Sequence, residues 1–321
     1  MSNFKFLIVF IYFLLYNTSL KVNNMIEIDS SYKKIDFILR GKKPKFKLTK
    51  DGSNYIYKYG AINYEIWSEL IAEQLGLQVG INMAHYELAK YQNTYGVLTD
   101  YFYKDGEIII SSDNLKEAVE PIFIENNISA NLKCNTIYSI IQACCMYEPS
   151  IDYKNLTDDL LKRWAFYGLI MESDKNATNI AFIRDDSGLR LSPDFDNSSM
   201  ARMNENINDF LIAMRNGYDV YSLTDNIINN FNISSNDSAI FLETFKNSVT
   251  KYPQQFSNIM SYFEKLDINK AINNVENINK IEVPWEVGSW LSIAIGRRYA
   301  DMKNIFDDVI KDNHVKVKTK F

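Results

Sequence analysis

Asp174, Asn179 and Asp196 are the residues of this chain whose types and spacing could do chemistry. They lie in "ESDKNATNIAFIRDDSGLRLSPDFDNSS", Glu172 to Ser199, around what reads as one short hairpin. An aspartate followed by four residues and an asparagine, here "DKNATN", is the spacing found where a carboxylate orients an attacking hydroxyl and an amide oxygen holds Mg²⁺. Mg²⁺ is a hard cation that takes oxygen ligands, commonly one or two carboxylates with phosphate oxygens and water. The hairpin folds the chain back, so Asp196 can reach the same ion as Asn179. On its own the stretch reads equally well as a solvated polar turn.

A second pair lies upstream. "YIYKYG" puts Lys58 on a strand, with Tyr57 and Tyr59 on one face and Ile56 and Lys58 on the other. The helix that follows carries Glu65 in its first turn. A strand lysine and a helix glutamate in an N-terminal β-rich lobe can form the ion pair that positions nucleotide phosphates. Alone, Lys58 reads as an edge-strand surface lysine and Glu65 as an exposed first-turn acid. In this order, and in lobes of this type, the residues point to phosphoryl transfer.

The elements that must position these groups divide the chain. Residues 26 to about 110 favour strands: "KIDFILR", "KFKLT", "NYIYKYG", "HYELAKY" and "GVLTDYF" are rich in β-branched and aromatic residues and are separated by turn signals such as "KDGS". One helix interrupts them. "NYEIWSELIAEQLGL" puts Ile66, Leu70, Ile71 and Leu75 near one face, with Gly76 as the expected C-cap. From about residue 112 the chain favours helices. "LTDDLLKRWAFYGLIM" opens with Thr157 as the expected N-cap, and Asp158 and Asp159 suit the first turn. Further helices are expected at roughly 206–216, 237–250, 254–265 and 285–311. In that half "NIAFIR" and "LRLSP" form the hairpin around "DDSG", which makes Asp185 and Asp186 turn residues. The fold class is therefore α+β, with a β-rich N-lobe carrying one key helix, a segment near 97–103 leading out of it, and a mostly helical C-lobe.

Composition narrows the function classes. The chain has 321 residues, 46% hydrophobic and 23% charged, which suits a globular protein of two modest lobes. A net charge of -5 gives no overall basic field for nucleic acid or an anionic membrane. Two histidines, His85 and His314, lie away from the cysteines, which argues against a zinc site or a histidine-dependent hydrolase. Cys134, Cys144 and Cys145 show no CxxC spacing. The last two sit in the apolar "IYSIIQACCMY" and read as buried helix residues in a reducing compartment.

The N-terminus carries "FLIVFIYFLLY", Phe6 to Tyr16. It falls short of the roughly 20 residues of a bilayer span, and no small-x-small cleavage site follows. It reads as a secretion or anchor segment, as a buried helix, or as an extension upstream of a true start at Met25. The last is preferred, because a plausible domain begins directly after Met25. The expected organisation is an extension over 1–24, an N-lobe over 25–103 and a C-lobe over 104–321.

"FYGLIMESDKNATNIAFI" resembles the catalytic segment of the HipA-type serine/threonine kinases, in which an apolar helix runs into Asp, four residues, Asn and an apolar strand. "LSPDFDNSS" is similar to that family's "P-x-[YF]-D" element, "GKKPK" to its "G-x-x-P-K" phosphate loop, and "VLTDYF" to its hinge. In "NYEIWSELIAEQLGL" the family's spacing, a Glu eleven residues before the Gly, selects Glu65 over Glu69 or Glu73. The match covers roughly residues 34 to 310.

The resemblance implies a bilobal kinase-like fold and an ATP- and Mg²⁺-dependent transfer of the γ-phosphate to a protein Ser/Thr hydroxyl. It makes Asp174 the catalytic base and gives Mg²⁺ to Asn179 and Asp196. It sets Lys58 on the phosphates with Glu65 supporting it, lays Gly41 and Lys45 over them, and forms the adenine-facing hinge from Asp100 to Phe102. Asn176 and Thr178 replace the family's usual His and Lys, a departure that bears on substrate contacts and rate. No serine precedes the phosphate loop in "FILRGKKPK", so the toxins' autophosphorylation is not implied. The same scaffold also suits a small-molecule or lipid kinase, or an inactive binding module in a toxin–antitoxin or effector setting with an antitoxin or host partner. The expected location is cytoplasmic, or secreted or anchored if residues 1–24 are genuine, with no direct nucleic-acid binding and no stable membrane span.

Overall fold

The computed structural model describes residues 25–35, 44–59, 63–104, 106–125, 137–175, 179–229, 231 and 241–318. The apolar run before Met25, and with it the 1–24 extension, lies outside them, as do Gly41, Asn176 and Thr178.

The N-terminal region is built on strands β1 (Ile26–Glu27), β2 (Lys33–Ile35), β3 (Lys45–Lys50), β4 (Ser53–Tyr59), β5 (Tyr86–Tyr91) and β6 (Thr94–Asp100). They form one six-stranded sheet in the order β1-β5-β6-β4-β3-β2. Among these strands, β1 alone pairs in parallel, against β5. Period-two alternation sorts the side chains. Phe46, Leu48, Tyr57, Ala89 and Leu98 pack with Ile28 on one face, where the Tyr57 and Tyr59 rings stack at 5.6 Å. Tyr86, Leu88 and Val97 face the other way and join the core built on helix α1 (Asn63–Gln78). The segment expected to lead out at 97–103 is still strand through Asp100.

Helix α1 runs two residues past its expected end. Gly76 lies inside it, and Gly80 takes the left-handed conformation at φ +70°. The Ile81 N–H bonds the Gly76 carbonyl at 2.9 Å and the Gly80 N–H bonds that of Leu77 at 3.2 Å, the Schellman pattern in which a residue without a Cβ turns the chain out of the helix.

The rest of the chain is mostly helical: α2 (Ser112–Glu125), α3 (Ile137–Tyr147), α4 (Tyr153–Leu169), α5 (Met203–Asn216), α6 (Val220–Asn229), α7 (Phe241–Lys251), α8 (Pro253–Phe263), α9 (Ile268–Asn279) and α10 (Trp285–Lys318). The hairpin β8 (Ala181–Asp185) and β9 (Gly188–Leu191) is joined by β7 (Ile108–Ser111) into a three-stranded sheet. Cys144 is buried in α3 and Cys145 half-buried. Helix α4 starts before Thr157. Asp152 is the N-cap, its carboxylate accepting the Asn155 N–H at 3.2 Å, and Thr157 is buried a turn inside. Leu160, Leu161, Ala165, Phe166 and Leu169 of α4 are wholly enclosed, each large side chain contributing roughly 1.5–3 kcal/mol of burial. From α10, the buried Arg298 bonds the Gly168 carbonyl at 2.9 Å and braces the end of α4 that leads into the polar loop. No helix among the described residues is long and apolar enough to cross a membrane.

Candidate functional site

The site forms where the β-sheet, α1 and the loop after α4 meet. Lys58, on β4, is 11% exposed, and its ammonium bonds Glu69 Oε1 at 2.5 Å and also contacts Asp196 Oδ1. Burial opposes its charge, but the two carboxylates outweigh burial and hold the amine above the ordinary lysine value. Asp196 is held well below the ordinary carboxylate value, because the Lys58 charge and bond prevail over its own burial. Lys45 stands directly opposite Lys58 on β3 and adds to the positive field on Asp196.

The partner of Lys58 on α1 is Glu69, not Glu65. Glu65 lies one turn earlier and accepts a 3.3 Å bond from Asn204 of α5. Both, with Glu73, recur at four-residue intervals on one side of α1, so the eleven-residue spacing to Gly76 picked the right face and the wrong turn. Glu69 also holds backbone: its Oε2 accepts the Asn197 N–H at 2.8 Å, directly after Asp196. Glu73, one turn on, holds the Tyr86 N–H at 2.9 Å and His85 at 2.8 Å. The Asp196 N–H donates to the Tyr86 hydroxyl at 3.1 Å.

On the loop, the Asn179 Nδ2 donates to the Asp174 carbonyl at 2.6 Å, so the two ends of the D-x-x-x-x-N motif are tied together. Asp174 is exposed. Phe102 is half-buried and stacks on Phe195 at 5.3 Å, which joins the segment after β6 to the residue before Asp196. The Tyr101 N–H is bonded to the Asn54 carbonyl at 3.0 Å, and Asp100 ends β6 as an exposed residue opposite Tyr55.

Three residues that motif reasoning passed over hold this arrangement in place. Asp194 is buried. It accepts bonds from the Tyr167 hydroxyl, from Lys175 Nζ at 3.3 Å and from Asn197 Nδ2 at 2.9 Å. Its backbone bonds Asn82 at 2.7 Å and Ala84 at 2.8 Å, which pins the segment to the end of α1. Lys175, beside Asp174, is also buried and donates to the Phe195 carbonyl. Glu172 bonds the backbone at Asp174 and Ser199. Charged residues at buried positions in a loop leave no periodic trace; the one available signal was the density of acids in "PDFD".

The donor set suits a magnesium–nucleotide pair. Because Asn179 spends its Nδ2 on the Asp174 carbonyl, its Oδ1 is the atom left for a cation; Asp196 Oδ2 likewise accepts no hydrogen bond among the described residues. No three His, Cys, Asp or Glu side chains cluster as a metal site among the described residues. Mg²⁺ held through one carboxylate, one amide and phosphate oxygens needs no such cluster.

Comparison with known proteins agrees on the fold. The family model of the HipA-like C-terminal domain matches residues 37–267. The Helicobacter pylori proinflammatory kinase CtkA superposes with a TM-score of 0.70 at 15% identity, over 90% of this chain and 99% of that one. HipA of Shewanella oneidensis MR-1, solved in a toxin–antitoxin complex with HipB and operator DNA, gives a TM-score of 0.52 at 15% identity, over 89% of this chain and 67% of that one. No curated protein matches the sequence. With the family model spanning most of its length, the chain belongs to the HipA-like kinase family through its HipA-like C-terminal domain.

Proposed function

We propose that the chain is an ATP- and Mg²⁺-dependent kinase that transfers the γ-phosphate to a Ser or Thr hydroxyl of a protein. The observation that carries this reading is the Lys58 ammonium held between Glu69 and Asp196, with Asp174 and Asn179 tied on the neighbouring loop. Lys58 and Lys45 supply fixed positive charge for the phosphates, and Glu69 fixes where the Lys58 charge sits. Asp174, exposed at the loop, would take the proton of the incoming hydroxyl. Asn179 Oδ1 and Asp196 Oδ2 would hold Mg²⁺, which supplies charge neutralisation on the transferring phosphoryl group. The backbone from Asp100 to Phe102 would face the adenine. An antitoxin-type protein partner is part of the proposal, supported by the HipA–HipB assembly of the Shewanella relative.

The test is transfer of labelled γ-phosphate from ATP into lysate proteins, with mass spectrometry of the products. Wild type should label Ser or Thr residues, while Asp174→Ala and Asp196→Ala should lower the rate by roughly 10²-fold or more with the fold retained. Turnover without any protein acceptor would replace the protein-kinase reading with a small-molecule one. Equal ATP binding by wild type and Asp196→Ala, with no transfer by either, would overturn the enzyme reading.

A further inference from the structure

Helix α4 ends in a second Schellman turn, this time with a side chain at the strained position. Met171 is left-handed at φ +51°, and the Glu172 N–H bonds the Tyr167 carbonyl at 2.9 Å. The turn sends the Glu172 side chain back into the protein, where its exposure is 0%. There both carboxyl oxygens are used. Oε1 accepts the Asp174 N–H at 3.0 Å, and Oε2 accepts the Ser199 N–H at 2.9 Å. Asp174 is the proposed base, and Ser199 lies three residues after Asp196. We infer that Glu172 is a positioning residue for phosphoryl transfer, clamping the loop that carries Asp174 to the segment that carries Asp196. The inference rests on the kinase reading.

The clamp requires two acceptor oxygens. A carboxyl group can receive one N–H on each oxygen, on free lone pairs when ionised and on the remaining lone pairs when it carries a proton; an amide of the same shape presents one oxygen and one NH₂, and the NH₂ would face an N–H donor. The neighbouring geometry reinforces the clamp. The Ala201 N–H bonds the Ile170 carbonyl at 2.8 Å, and Trp290 Nε1 bonds the Ala201 carbonyl at 3.0 Å. Asp196, Ala201 and Arg202 are all left-handed non-glycine residues, so this segment holds backbone strain that something must restrain.

The clamp works against stability. Glu172 faces Lys175 and Asp174 from its own loop and Glu69 from α1, with Lys58 and Asp196 beyond Glu69. Lys175, the closest cation, is already bonded to Asp194 and to the Phe195 carbonyl. Burial pushes the Glu172 carboxyl up to about 8, against the pull of Lys175 and the two N–H donors. A buried acid this costly is explained by where it holds the backbone, not by the energy it contributes.

The experiment compares wild type with Glu172→Gln and Glu172→Asp. It measures kcat and KM for Mg·ATP, melting temperature, and hydrogen exchange at the Asp174 and Ser199 amides. Glu172→Gln should keep KM within about threefold and lose at least about tenfold in kcat, because misplacement by about 1 Å costs up to 10²-fold. Its melting temperature at about pH 9 should be no lower than that of wild type. One of the two amides should exchange faster, and Glu172→Asp, which restores both acceptors on a shorter stem, should recover part of kcat. An unchanged kcat in a folded Glu172→Gln overturns the clamp, as do equal losses in stability, KM and kcat, or unchanged protection of both amides. Absence of transfer by wild type overturns the kinase reading itself and so is distinguished from failure of the clamp.

Discussion

Lys58 Nζ bonds Glu69 Oε1 at 2.5 Å, while Glu65, one turn earlier on the same helix, reaches Asn204 of α5 instead. The two glutamates therefore act differently. Glu69→Gln should lower the rate of phosphate transfer more than tenfold, because it loosens both Lys58 and the Asn197 backbone. Glu65→Gln should have the smaller effect of the two on the rate, because it leaves Lys58 and the Asn197 backbone in place. Steady-state kinetics on both variants decides this. A larger kinetic loss from Glu65→Gln would reverse the assignment.

Lys58→Met removes the cation shared by Glu69 and Asp196. The buried Glu69 and the half-buried Asp196 would then face each other without a cation, which should cost about 3 kcal/mol of stability or somewhat less. ATP binding should weaken as well. Denaturant unfolding gives the first quantity and nucleotide titration the second. A variant as stable as wild type would show that the pair contributes nothing net.

Asp194→Asn tests the buried support. The change leaves Lys175 without its carboxylate and alters the partner of the Tyr167 hydroxyl. With both charged groups essentially inaccessible to solvent, the expected destabilisation is about 3–5 kcal/mol. Asp194→Asn with Lys175→Met should cost less than the two single changes added together. Strict additivity of the two would mean that the ion pair is not coupled.

The pH dependence follows from groups shifted in opposite directions. Asp196 sits below its ordinary value of 3.8, so its stabilisation is present above that value and is lost as the pH falls through the depressed one. Glu172 is raised from 4.5 to about 8. Between those values the folded chain keeps a proton that the unfolded chain has released, so stability declines as the pH rises and levels off above about 8. His85, raised above 6.5 by its bond to Glu73, gives stabilisation that is full below 6.5 and lost as the pH rises through its folded value. The melting temperature should therefore fall from mildly acidic to alkaline pH, and Glu172→Gln should remove most of that slope. A wild-type curve that is flat or rising from about pH 5 to 8 would contradict the assignment.

The strands carrying Lys45 and Lys58 were legible from alternation and turn residues, and α1 from its apolar face. Which glutamate meets Lys58 was not legible, because α1 offers three acids one turn apart. The choice among them depends on how the connection between β4 and α1 sets the helix along the sheet. The start of α4 was misplaced because "TDD" imitates a first turn, whereas the chain caps at Asp152 and buries Thr157. Helices α6 and α9 went unread. The latter, "INKAINNVENIN", is rich in a weak helix former, and its order rests on burying Ala271 and Val275 against the rest of the protein. Asp174, Asn179 and Asp196 were visible as a motif, but the buried charges behind them, Glu172, Lys175 and Asp194, are defined only by three-dimensional enclosure.

The contact of Lys58 with Asp196 has a consequence for how the site fills. An ammonium already sits on the carboxylate proposed for the divalent ion, so that acid keeps a counter-charge before any ion arrives. In the proposed cycle, loading is an exchange of cations. Lys58 would turn to the nucleotide phosphates, and Asp196, released from it, would hold Mg²⁺, which would supply charge neutralisation there. Divalent ion without nucleotide must compete with a tethered resident charge and gains little, so metal and nucleotide should bind as a pair. In that reading the lysine is a placeholder that keeps the aspartate balanced until the pair arrives.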